Sequence, residues 1–219
     1  MKKLSYILPM GLALLAMTSC SSEEIDTKAE RQSTPITLVS SVAQTRSANL
    51  NLQKTQIEAG VKVGAFVKTA NGYISGGNNA QLTADGAGNF TGSALYFPED
   101  GSAISVYAYA PYASGWSDKL DAEADFTVSA NQSTDAGYLA SDLLRGIPTG
   151  VNSFTESTPV VSLNFEHKLS KLTVKFKTSA DTDVDLKGAT INILNTLPST
   201  TLKVSDGTLG TAKGTATPI

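Results

Sequence analysis

Apolar and polar residues alternate along most of this chain with the period of a β-strand, and no long stretch repeats them at helical spacing. In ITLVSSVA (36–43) the side chains of Ile36, Leu38 and Val42 share one face. In VKVGAFV (61–67) Val61, Val63, Ala65 and Val67 do so, with Lys62 opposite. AISVYAYA (103–110) is apolar or aromatic on both faces, which predicts a central strand covered on two sides. DFTVSA (125–130), VVSLNF (160–165), KLTVKFK (171–177), ATINIL (189–194) and TLKV (201–204) complete the predicted strands. The turns between them, ANGYISGGNN, ADGAGNF, FPEDGS and SDG, hold Asn-Gly and Asp-Gly pairs, which supply the positive φ of tight hairpins. Only DAGYLASDLLRG (135–146) predicts a helical turn. The fold class is all-β with Greek-key or meander connections, most simply a sandwich.

The apolar face changes register once. Val161, Leu163, Phe165 and Leu169 are odd-numbered, whereas Leu172, Val174 and Phe176 are even-numbered. Within one continuous β segment this predicts a bulge, or a strand crossing between sheets, at 166–171. A polar break, KTSADTDVDLKG (177–188), then divides the chain. The expected organisation is a leader over 1–19, a tether over 20–33 and a β-sandwich over 34–178. Residues 179–219 would form edge strands or the start of a second β domain.

The N-terminus changes the picture from fold to location. Lys2 and Lys3 precede an apolar run from Leu4 to Met17, followed by Thr18 and Ser19. That is the form of an export signal, too short and too interrupted by Pro9 for a membrane-spanning helix. Cys20, the only cysteine, sits where the signal would be cut, between Ser19 and Cys20. A lone exported thiol cannot close an internal disulfide, and the Thr-Ser-Cys sequence resembles the lipobox of bacterial lipoproteins, so Cys20 is the predicted lipidation (palmitate) site. Two or three acyl chains then make a durable anchor where one would not. Glu23, Glu24 and Asp26 resemble the acidic signal that sends lipoproteins of Bacteroidetes to the outer face of the outer membrane; they also suit a solvated tether. Loss of residues 1–19 removes Lys2 and Lys3, leaving 15 basic against 20 acidic residues, a net charge of −5. Nucleic acid is therefore not an expected partner.

Little in the chain suits catalysis. The only histidine, His167, lies on an apolar face near the register change, as a half-buried structural residue would. Histidine–cysteine metal sites are excluded by count. DTDVD (181–185) begins like a calcium loop but has Leu186 where glycine is needed and Asn192 where glutamate is needed. DAEAD (121–125) fits a solvated strand edge better than a cation site. No cofactor or metal site is predicted. Tyr107, Tyr109, Tyr112 and Trp116 are candidates for a glycan-contacting platform, and equally suit packing on a sheet face.

Several segments together resemble the fimbrillin family of Bacteroidetes, the lipoprotein subunits of type V pili that include the Mfa-like proteins. They are ALYFPEDGSAISVYAYAPY (94–112), NQSTDAGYLASDLLRG (131–146) and VSLNFEHKLSKLTVKF (161–176). The resemblance runs from Cys20 to about Lys177 and is carried by the combination, above all the aromatic-Pro-x-x-Gly turn entering an aromatic strand. It implies a transthyretin-like Greek-key β-sandwich and no enzymatic activity. It also implies a fimbrial role in cell adhesion, with other fimbrial subunits, the outer membrane and a surface receptor as partners. In that family a trypsin-like protease cuts after an arginine, removing the first strand so that another subunit's strand can take its place. Here Arg46 and Ser47, in the polar connection after Ile36, Leu38 and Val42, match that cut; Arg31 precedes the strand and would leave it in place. A monomeric glycan-binding lipoprotein, or an anchor or tip protein that does not polymerise, is the alternative.

Overall fold

A computed structural model describes residues 33–43, 55–174, 176–178 and 185–219 of the chain. Ser19 and Cys20, and Arg46 with Ser47, lie outside the described residues. Among the described residues ten strands and one short α-helix follow in the order β1 (Thr37–Val42), β2 (Lys62–Thr69), β3 (Gly72–Tyr73), β4 (Ala80–Ala84), β5 (Phe90–Gly92), β6 (Ser105–Ala110), β7 (Ala124–Thr127), α1 (Asp135–Ser141), β8 (Leu144–Pro148), β9 (Val160–His167) and β10 (Ser199–Leu202), with a 3-10 turn at Ser114–Trp116 between β6 and β7. The fold is all-β. One sheet runs β1-β9-β8-β6-β2-β4-β5, with β3 added to β2, and β7 and β10 form a separate antiparallel ribbon.

The sheet curls until its two ends nearly meet. β1 is parallel to β9, and isolated bridges join Val39 to Asn89 and Pro35 to Tyr96 across the remaining gap. Phe90 of β5 and Phe165 of β9 come within 6.3 Å, ring to ring, although they stand near opposite ends of the strand order. The inward faces of β1, β2, β4, β6, β8 and β9 therefore share one core, including Leu38, Val63, Val67, Leu82, Val106, Val161 and Phe165.

A second core lies on the other face. Phe66 and Tyr109 from the sheet, with Leu143 just before β8, pack with Trp116, Leu120, Phe126, Leu202 and Val204. β6, apolar on both faces, sits between β2 and β8 and contributes to both cores, as a two-sided strand must. β10 pairs with β7, which brings residues 199–204 against the sheet. Arg145 of β8 fastens this part: its Nε donates to the Val204 carbonyl at 2.7 Å and a terminal nitrogen to the Ser205 carbonyl at 2.6 Å.

Three expectations need correction. KLTVKFK forms no strand among its described residues, and Leu172, Val174 and Phe176 are exposed. The reason is that β9 runs out of neighbours: β8 begins at Leu144 opposite His167, and β1 ends at Val42 opposite Phe165. The register change therefore marks the exit of the chain from the sheet, with no strand crossing. ATINIL likewise forms no strand: Ile193 exchanges backbone hydrogen bonds with Ile219, and the Ala189 N–H donates within a turn to the Leu186 carbonyl. The helical stretch stops at Ser141, because residues 144–148 belong to β8.

Candidate functional site

β1 is held along both edges by segments distant in sequence. Toward β9, the N–H of Thr37 donates to the Pro159 carbonyl at 2.8 Å and that of Ala43 to the Phe165 carbonyl at 2.7 Å. On the other edge the N–H groups of Ile36, Ser40 and Val42 donate to the carbonyls of Leu95, Gly88 and Thr55 at 2.9, 2.7 and 3.0 Å. Alternate N–H groups point to opposite sides because the strand is pleated. Of the three apolar residues read from sequence, Leu38 and Val42 are fully buried and Ile36 packs half-buried against the same core. Burial of Leu38 and Val42 contributes about 3–6 kcal/mol together. β1 thus fills a strand-shaped slot whose walls are β9 and residues 88–97.

Sequence reading passed over several residues of this slot. Gly88 falls in a segment read only as a turn; its φ of +98° and close approach to β1 both favour glycine. Gln56 gave no signal, because one polar residue in a polar connection is not distinctive.

The aromatic cluster is not the platform that its sequence allowed. Tyr109 is fully buried and Trp116 is 5% exposed, so neither presents a ring to a ligand. Their rings stack at 4.3 Å, the Trp116 Nε1–H donates to the Asp125 carbonyl at 3.2 Å, and the Tyr109 hydroxyl donates to Asn79 Oδ1 at 2.7 Å. Burial pushes the Tyr109 phenol up to about 12. Tyr107 packs partly buried against this second core, and Tyr112 is half-buried with its N–H on the Lys62 carbonyl. Tyr107, Tyr109 and Trp116 are brought together as packing, and Tyr112 lies outside that cluster.

His167 stands at the end of β9, its Nδ1 2.7 Å from Oδ1 of Asp142, the residue that caps the C-terminus of α1. The hydrogen bond to Asp142 raises the imidazole above its ordinary value, against the opposing effects of burial and Lys171. In DAEAD, Asp125 pairs with Lys213 at 2.6 Å and Glu123 accepts from Thr201 at 3.1 Å. Among the described residues no group of three His, Cys, Asp or Glu side chains could hold a metal ion.

A family model described as "Fimbrillin-like" matches residues 45–219. A Bacteroides uniformis protein named "Putative fimbrium subunit Fim1C" is 32% identical over 168 residues, which cover 71% of this chain and 53% of the relative. The chain thus spans about half the length of that curated relative. In fold it resembles the crystal structure of a "putative cell adhesion protein" from Bacteroides uniformis, with a TM-score of 0.61, 28% identity, and coverage of 84% of this chain and 68% of that one. A second "putative cell adhesion protein", from Bacteroides ovatus, shares the fold with a TM-score of 0.57 and 22% identity, covering 86% of this chain and 70% of its own.

Proposed function

Because this chain belongs to the fimbrillin-like family of Bacteroidetes, we propose that it is a surface lipoprotein, anchored in the outer membrane through Cys20, that serves as a structural and adhesive subunit of a fimbrium. Subunits join by strand exchange: a protease cuts between Arg46 and Ser47, β1 leaves, and a strand of another subunit enters its place. The role is non-enzymatic and its partners are other fimbrial components.

The observation that carries this reading is the seating of β1 between two walls. Its departure would leave unpaired backbone groups on β9 and on residues 88–97, together with the apolar site of Leu38 and Val42. An open edge of this kind is filled by strand addition. The energy at stake, about 3–6 kcal/mol from two side chains alone, is comparable with the ~5–15 kcal/mol that stabilises a whole domain. The slot would therefore not stay empty.

The intact mass of protein extracted gently from cell surfaces tests the proposal. Assembled material is expected to begin at Ser47, and an Arg46→Ala chain is expected to begin at acylated Cys20 and to give no ladder of stable oligomers on unboiled gels. Oligomers whose subunits all retain acylated Cys20 would overturn it.

A further inference from the structure

The core-facing positions of β1 are not alike. Leu38 and Val42 are buried among apolar side chains, and Ile36 packs on the same cluster. Ser40, between Leu38 and Val42 in the same alternation, meets a polar notch instead. Its N–H donates to the Gly88 carbonyl at 2.7 Å, and its Oγ stands 3.4 Å from the same oxygen. Against that glycine lies Gln56: a Cβ placed on Gly88 would meet Gln56 Oε1 at 2.9 Å and the Ser40 carbonyl oxygen at 3.0 Å. Gln56 Oε1 is buried and has no hydrogen-bond partner among the described residues.

The notch is therefore rich in acceptors and short of donors. An apolar side chain at the Ser40 position would remove the only hydroxyl described in this notch, leaving the Gly88 carbonyl with the residue-40 N–H alone and Gln56 Oε1, already without a partner, facing apolar bulk, which is costly. A hydroxyl can donate to one of them and is small enough to leave the 2.7 Å backbone contact undisturbed.

We propose that the slot selects its occupant, an extended strand of another fimbrial subunit, by the alternation apolar–apolar–hydroxyl–apolar at the sites now held by Ile36, Leu38, Ser40 and Val42. The inference rests on strand exchange and adds the chemistry by which a strand is accepted. Leu38 and Val42 mark where apolar bulk is wanted. Ser40 marks where it is refused, and Gln56 and Gly88 are the residues that refuse it.

The test uses the full chain with a specific protease site inserted between Ala43 and Thr55, so that β1 can be nicked and stay seated. Fluorescent peptides spanning residues 34–43 then compete for the slot, followed by anisotropy and by the mass of the released segment. The unsubstituted and Ser40→Thr peptides are expected to enter. Ser40→Leu and Leu38→Ser should each bind at least about tenfold more weakly, whereas Ser41→Leu, at an exposed position, should bind as the unsubstituted peptide does. Equal binding of the Ser40→Leu and unsubstituted peptides overturns the selection rule and leaves strand exchange standing. Entry by no peptide, the unsubstituted one included, counts against strand exchange itself. The rule is then read in the uncut chain, where Ser40→Leu should lower the thermal midpoint and Ser41→Leu should not; equal midpoints overturn it.

Discussion

Gly146 of β8 faces Phe165 of β9, and the phenyl ring occupies the space that a side chain would need: an added Cβ would meet ring carbons at 2.6, 2.7 and 2.8 Å. Gly64 of β2 lies in the same way beneath the ring of its cross-strand partner Tyr109. Glycine weakens an isolated strand, but here each glycine makes room for an aromatic ring to lie flat across the ladder. Gly146→Val should therefore destabilise the chain by about 1–3 kcal/mol in urea denaturation, an overpacking cost. His167 makes a different prediction. Its folded-state value is raised above the ordinary 6.5, chiefly by the hydrogen bond to Asp142. The stabilisation from the charged pair is then complete below about pH 6.5 and is lost as pH rises through the raised value. The difference in thermal midpoint between the chain and an Asp142→Asn variant should shrink from about pH 6 to about pH 9. A difference that does not change with pH would show that His167 is not charged in the fold.

Strands differ in how much of their stability they own. β2 and β6 are buried on both faces and bonded on both edges, whereas β1 is bonded on both edges but faces the core with only two apolar side chains, Leu38 and Val42, beside Ile36 just before it. Leu38→Ala should cost about 2–5 kcal/mol by the cavity it leaves, measured as a shift in denaturation midpoint. The β10 region is held by one buried guanidinium. Arg145→Leu would leave the Val204 and Ser205 carbonyls without their donor, for an expected loss of about 1–3 kcal/mol or more. Exposed Leu172 lies past the last neighbour of β9, so Leu172→Ser should change stability by no more than about 0.5 kcal/mol.

Across the whole molecule, the sheet divides two cores and β1 completes only the first. The second core, with Tyr109, Trp116 and Phe126, contains no residue of β1. A chain stripped of β1 should therefore keep the near-ultraviolet signal of stacked Tyr109 and Trp116 while losing its monodisperse monomer peak in light scattering. Loss of both signals together would show that the cores unfold as one. This partition suits an assembly subunit, because one half of the molecule can exchange a strand while the other stays packed.

β1, β2, β6 and β9 were legible in the chain itself, since alternation of apolar and polar residues is a local property that side-chain period alone imposes. The two-sided character of β6 and the apolar trio Ile36, Leu38 and Val42 were readable for the same reason, whereas the fimbrillin-like resemblance rested on the combination of segments 94–112, 131–146 and 161–176. Strand pairing was not. KLTVKFK alternates as well as β1 does, yet its described residues form no strand because β8 and β1 offer no partner beyond His167 and Phe165. β8 was hidden by Arg145, Gly146 and Pro148, which weaken a strand in isolation. Here Gly146 admits the Phe165 ring and Arg145 reaches the Val204 and Ser205 carbonyls. Tyr109 and Trp116 have the composition of a sugar platform; only the β7–β10 ribbon packed over that face of the sheet makes them core. Which alternating segment becomes a strand, and which aromatic becomes buried, depends on contacts between residues far apart in sequence, and those exist only once the sheet has closed.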